Sequence, residues 1–195
     1  MNTIIFATNN ENKVSEVKSI LNKNFRVISL KEAGIDIEIA EPFNSLEENA
    51  KEKAQVIYNL SHQNCFSEDT GLEVESLNGE PGVKSARYAG EARSFEKNID
   101  KLLKKLANKE NRSARFRTVI CLICQGKEEF FEGICKGTII AEKRGNSGFG
   151  YDPVFIPEGS DQTFAEMTLA EKNVFSHRKK AIEKLTSYLK NNPCF

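Results

Sequence analysis

Tryptophan is absent from this 195-residue chain, methionine occurs twice, and His62 and His177 are its two histidines. With so few imidazoles, the five cysteines (Cys65, Cys121, Cys124, Cys135, Cys194) have little help in building a zinc site. Their odd number, in a chain large enough to fold without staples, points to reduced thiols. Cys121 and Cys124 form a CxxC, but inside the strand-like run "RFRTVICLIC". Residues three apart on a strand face opposite ways, so the pair cannot chelate one metal and reads as structural. Charge of one sign is missing too, since 28 Lys and Arg balance 28 Asp and Glu. Proteins that hold duplex nucleic acid usually carry a basic excess, because phosphate contacts dominate that binding. An anionic ligand must here be met by a local cluster of cations, which points to a small anion. No run approaches the roughly 20 apolar residues that span a bilayer, and the opening "MNTIIFATNNENK" has no cleavage-site pattern. Repeats, low-complexity tracts and linkers are also lacking. The expectation is a single cytoplasmic domain, residues 1–195, with neither a nucleic-acid polymer nor a membrane as partner.

What is present is a mixture of strand and helix signals. Residues 3–8, "TIIFAT", read as a buried strand, and Val14, Val17, Ile20 and Leu21 then recur at helical spacing. Residues 25–30, "FRVISL", alternate as a second strand. "SLEE" at 45–48 has capping-box spacing and opens a helix with the apolar stripe Leu46, Ala50, Ala54, Ile57 and Tyr58. Strands are predicted over 65–68 and 72–77, on either side of a Thr70-Gly71 break. Phe95, Ile99, Leu102, Leu103 and Leu106 mark an amphipathic helix, and residues 114–124 and 128–141 a long hairpin turning at 125–127. "TLAE" at 168–171 repeats the capping-box spacing, and Ser176 stands where it can cap a last helix ending near Lys190. Without strict βαβ alternation, this predicts an α/β protein with a mixed, elongated sheet and flanking helices, in two lobes around a central groove.

Four stretches hold candidate chemistry, each with a plainer alternative. Glu68 and Asp69 close a predicted strand before the Thr-Gly break. Two unit negative charges about 4 Å apart repel by roughly 4 kcal/mol at an effective dielectric near 20, so converging carboxylates there call for a cation such as Mg²⁺. The plain alternative is a solvated acid at a turn. "ATNNENK", residues 7–13, runs from a strand end into a helix start, whose N–H groups with Lys13 form a phosphate cradle or merely an Asn-capped helix. "GNSGFGYDPVF", residues 145–155, presents Phe149 and Tyr151 for stacking on a base and Asp152 to accept from a ring N–H, unless its aromatics fold into the core. "SHRKKA", residues 176–181, places His177, Arg178, Lys179 and Lys180 in the first turn of a helix, where the macrodipole disfavours cations. An electron-rich ligand would offset that cost, as would simple solvation. Together the parts suit one nucleoside triphosphate.

The stretches "ATNNENK", "SEDTGLEVESLNGEPGVKSARYAG", "GFGYDPVF" and "EKNVFSHRKKA" resemble, in order and spacing over nearly the whole chain, the inosine triphosphate pyrophosphatase family. The resemblance implies Mg²⁺-dependent hydrolysis of ITP, dITP and XTP to monophosphate and pyrophosphate, usually by a homodimer. It implies that Thr8, Asn9, Asn10, Glu11, Asn12 and Lys13 bind the triphosphate. Asp69 is implied as catalytic acid–base and metal ligand, with Thr70 touching substrate, and Lys53 as a residue reaching the phosphates. Glu41 is implied as a second metal carboxylate, with Glu38 competing because Pro42-Phe43 stands where the family tends to have Thr-Gly. Phe149, Gly150, Tyr151, Asp152, Lys172, His177 and Arg178 are implied to hold the nucleotide, chiefly its base, with Arg178 reading the 6-keto oxygen. Glu68-Asp69-Thr70-Gly71 stands where the bacterial form usually has Asp-Asp-Ser-Gly, and Asn9 stands where glycine is frequent. The alternatives are a Maf-type pyrophosphatase acting on modified pyrimidine nucleotides and a non-catalytic nucleotide-binding module.

Overall fold

A computed structural model describes residues 2–21 and 25–192. Cys194 lies outside them. Among the described residues the strands form one seven-stranded sheet. Strand β1 (Asn2–Phe6) pairs in parallel with β2 (Phe25–Ser29) and with β3 (Cys65–Val74). The order continues from β3 to β5 (Ser113–Cys124), β6 (Lys127–Ile139) and β7 (Phe155–Pro157), while the short β4 (Pro81–Gly82) pairs antiparallel with β3. Gln125 and Gly126, both at positive φ, make the tight β5–β6 turn. The helices are α1 (Glu11–Ile20), α2 (Leu46–Ser61), α3 (Phe95–Lys105), α4 (Leu169–Phe175) and α5 (His177–Asn191). The mixed α/β class is therefore as expected.

The predicted break at Thr70-Gly71 does not exist, because β3 runs unbroken from Cys65 to Val74. Gly71 serves a different purpose from turning the chain. A Cβ at Gly71 would stand 2.7 Å from the carbonyl oxygen of Gly82, so the missing side chain lets β4 close on β3. The strand predicted over 72–77 correspondingly ends at Val74, and Glu75–Leu77 is a 3₁₀ turn.

The chain forms two compact units, and β3 passes from one to the other between Asp69 and Thr70. The first holds residues up to Asp69, Thr118–Gly133 and the chain from Arg178 on. Its core gathers Ile4, Phe6, Phe66, Ile120 and Leu122 from the sheet with Val17, Ile182 and Leu185 from helices, and Phe6 stacks on Phe66 at 4.6 Å. The second holds Thr70–Arg117 and Ile134–His177. There Ile99, Leu102 and Leu106 pack with Phe116, Phe155 and Phe164. Phe95, expected on the same apolar stripe, is instead 43% exposed. Cys65, Cys121 and Cys135 are free thiols, with burial pushing Cys65 and Cys121 up to about 12, which fits structural rather than reactive cysteines. Cys124 is disulfide-bonded, contrary to the expectation that all thiols are reduced.

Candidate active site

Alternation along the unbroken β3 separates the two adjacent acids. Asp69 sits 3.3 Å from Lys53 Nζ and accepts from Asn49 Nδ2 at 3.4 Å. Lys53 also donates to Glu41 in a short contact, so its ammonium lies between two carboxylates. Burial works against the Lys53 charge, but Asp69 and Glu41 outweigh it and its pKa rises. Burial raises the pKa of Asp69, and Lys53 and Lys13 only partly offset this. A buried acid made easier to protonate is suited to proton transfer.

Glu68 has other partners. Arg178 donates to it from Nε at 3.0 and 2.9 Å and from Nη2 at 2.8 Å, and Lys13 Nζ lies 3.3 Å away. Arg178 Nη1 in turn donates to Glu16. Burial alone would push Glu68 up, but Arg178 and Lys13 outweigh it and hold its pKa at about 2. The cationic start of α5 is thus explained at Arg178, whose charge meets two buried carboxylates from α1 and β3. The sequence reading gave Arg178 to the purine; its guanidinium, 1% exposed, is clamped by Glu68 and Glu16.

At the N-terminal loop the helix start is already capped. Asn10 Oδ1 accepts from the N–H groups of Asn12 at 3.0 Å and Lys13 at 3.2 Å, and Asn10 N donates to Thr8 Oγ1 at 3.1 Å. Asn10 has φ −85° and Asn9 is not among the positive-φ residues, so neither uses a left-handed backbone. Asn9 Nδ2 donates to Ile37 O at 2.8 Å. A cavity of about 420 Å³ opens beside this loop, lined by Thr8, Asn9, Glu11, Ser29 and Lys31 among others. A larger one, about 750 Å³, lies in the second unit beside Glu73, Arg115 and Lys136, and none of the candidate residues lines it.

In the second unit the glycine-rich loop is built around a buried ion pair. Asp152 Oδ2 takes Lys172 Nζ at 2.6 Å and the backbone N–H of Phe149 at 2.9 Å. Asp152 therefore anchors its own loop, where a ring N–H had been expected. Tyr151 is buried in the core and donates to Ser85 O at 2.9 Å, which removes it as a stacking platform. Phe149 keeps that part: it is half-buried, with Lys172 Nζ 5.2 Å from its ring centre. Gly150 beside it has φ 64°, a left-handed backbone that glycine accepts without strain. His177 is buried and stacked on Phe116 at 4.7 Å and 15°. Thr70 is half-buried on β3.

Sequence reasoning missed Asn49 and Glu16. Asn49 is 1% exposed; besides touching Asp69 it accepts from Phe43 N at 3.0 Å and donates to Phe43 O at 3.1 Å, pinning the loop after Glu41. Its signal was readable, since Asn49 and Lys53 are polar residues set into the apolar stripe of α2. Glu16 left no comparable mark, because its partner is 162 residues away. The Glu41 and Asp69 carboxylates, hard oxygen donors already gathered around one positive charge, fit a Mg²⁺ ion, which needs only one or two carboxylates besides water and phosphate oxygens. Glu38 is exposed. No group of three or more His, Cys, Asp or Glu suited to a metal occurs among the described residues.

The same arrangement of sheet and helices recurs in solved proteins. The structure matches the Ham1 protein of Staphylococcus aureus with a TM-score of 0.88 at 39% identity, over 97% of this chain and 99% of that one. For a HAM1 protein from Coxiella burnetii the TM-score is 0.89 at 34% identity, over 98% and 100% of the two chains. Residues 4–188 match the Ham1 family, and the chain belongs to it. A dITP/XTP pyrophosphatase of Flavobacterium psychrophilum is 50% identical over 188 residues, 96% of this chain and 99% of that protein.

Proposed function

We propose that the chain hydrolyses ITP, dITP and XTP to the nucleoside monophosphate and pyrophosphate, clearing these noncanonical purine nucleotides from the pool. The observation that carries the reading is the Glu41–Lys53–Asp69 cluster, with Lys53 and Asp69 buried and Glu41 partly so, in a chain half identical to a dITP/XTP pyrophosphatase. Glu41 and Asp69 would hold Mg²⁺, which would supply polarisation of the phosphates and neutralisation of their charge. Asp69 takes the proton of the water that attacks the α-phosphorus. Lys13 and Lys53 face the triphosphate, and Lys13 stabilises charge on the departing pyrophosphate. Thr8, Asn9, Asn10, Glu11 and Asn12 shape the loop that receives the tail, and Thr70 lies against the substrate.

Phe149 supplies the face on which the purine stacks. The loop carrying Gly150, Tyr151 and Asp152, with Lys172 and His177, places donors towards the keto oxygens of hypoxanthine and xanthine. Adenine carries an amine at that edge and would leave a buried donor unpaired, a penalty of roughly 1–3 kcal/mol per group. Arg178 acts by holding Glu68, and through it Lys13. The active species is a cytoplasmic homodimer, a reading supported by the family resemblance. No described helix is long and apolar enough to cross a membrane. No observation favours the Maf-type or non-catalytic alternatives. Incubation with dITP and Mg²⁺ tests the proposal: dIMP and pyrophosphate are expected, whereas dIDP with orthophosphate would overturn attack at the α-phosphorus.

A further inference from the structure

Phe95 opens α3 and is 43% exposed, although the helix it begins buries Asn98, Ile99 and Leu102. Its ring centre lies 6.2 Å from that of Phe149, tilted by 47°. The two rings share an anchorage. Tyr151, two residues beyond Phe149, donates to Ser85 O at 2.9 Å, and Asn98 of α3 donates to the same oxygen at 3.3 Å and to Ala86 O at 2.9 Å. Asn98 also accepts from Ala89 N at 2.7 Å, while Ser94 caps the helix through Lys97 N. Helix α3 and the Phe149 loop are thus tied to one backbone segment, which keeps an exposed ring and a half-buried ring side by side.

The geometry points to Phe95 as a second aromatic wall for the purine, a binding residue that meets the edge of a base stacked on Phe149. This rests on the reading that Phe149 holds the base. A preorganised pair of rings favours a large, flat bicyclic base over a pyrimidine, so Phe95 contributes to selection for purines by size.

The chain contains no tryptophan, so Phe95→Trp creates a single indole reporter at this position. Addition of dIMP is expected to quench its fluorescence, and pyrophosphate alone to leave it unchanged. Phe95→Ala is expected to raise KM for dITP about fivefold to tenfold, with kcat within about twofold of the parent. If the alanine variant melts early, Phe95→Leu, which keeps the bulk and loses the ring, is expected to show the same KM rise. An unchanged KM and a silent indole in the Phe95→Trp variant, with Phe149→Ala still raising KM, would overturn the role of Phe95 alone. If Phe149→Ala also leaves KM unchanged, the assignment of the base to this loop fails with it.

Discussion

The two units handle buried polarity in opposite ways. In the first, five charged side chains (Glu16, Lys53, Glu68, Asp69 and Arg178) are nine-tenths or more hidden from solvent, and hydrogen bonds link them to Glu41, Lys13 and Asn49. In the second, the core is aromatic, with Phe116, Phe155 and Phe164 in mutual contact, and the Asp152–Lys172 pair lies beneath Phe149. Buried charge is costly unless it is paired and bonded, so its greater density in the first unit makes that unit the candidate for work on a charged phosphate tail. The rings of Phe116, Phe155 and Phe164 are core; of the second unit's phenylalanines, half-buried Phe149 and exposed Phe95 can meet a flat base. On the function proposed above, the first unit works on the phosphate tail and the second receives the base.

The sharpest way to break that division is Asp69→Asn. It keeps the shape and removes the base, and turnover of dITP is expected to fall by about 10² to 10⁴ with the melting temperature little changed. Near-normal turnover would strip Asp69 of its part. Arg178→Gln removes the cation that the buried Glu68 and Glu16 share, and equilibrium unfolding in urea is expected to lose about 3–5 kcal/mol. A variant as stable as the parent, but with altered preference among ITP, XTP and ATP, would return Arg178 to direct base reading. Asn49→Ala removes two bonds to Phe43 and one to Asp69, and a loss of roughly 1–3 kcal/mol is expected together with reduced kcat. Unchanged stability and kcat would show the loop after Glu41 to be held by other means.

The smallest effect near neutrality is that of acid. Glu68 has a folded pKa of about 2 against an ordinary value of 4.5. Its stabilising contribution is therefore complete above pH 4.5 and disappears as pH falls towards 2. Unfolding free energy measured across that interval is expected to drop, and a Glu68→Gln variant to show a flatter profile. An identical slope in the two proteins would remove Glu68 from the acid response.

Much of the fold was legible because its signals are local. A buried apolar run marked β1, alternation marked β2 and two β-rich runs around a short turn marked the β5–β6 hairpin, while capping-box spacing at Ser45 and Thr168 marked helix starts that the structure shows. Legibility failed where a residue answers to a distant neighbour. Gly71 looked like a turn but accommodates the backbone of Gly82, and Tyr151 looked like a platform but reaches Ser85. Arg178 looked like a ligand donor because Glu16 and Glu68, its partners, stand far away in sequence.

The chain's order of residues determined by itself the α/β class, the family and the set of chemically capable side chains, because periodicity, caps and motif spacing are properties of neighbours along a chain. Only the tertiary structure decided which acid meets which cation, which aromatic stays open to a ligand and which is buried. Those outcomes depend on Coulomb attraction and packing over a few ångströms between residues that sequence holds dozens of positions apart.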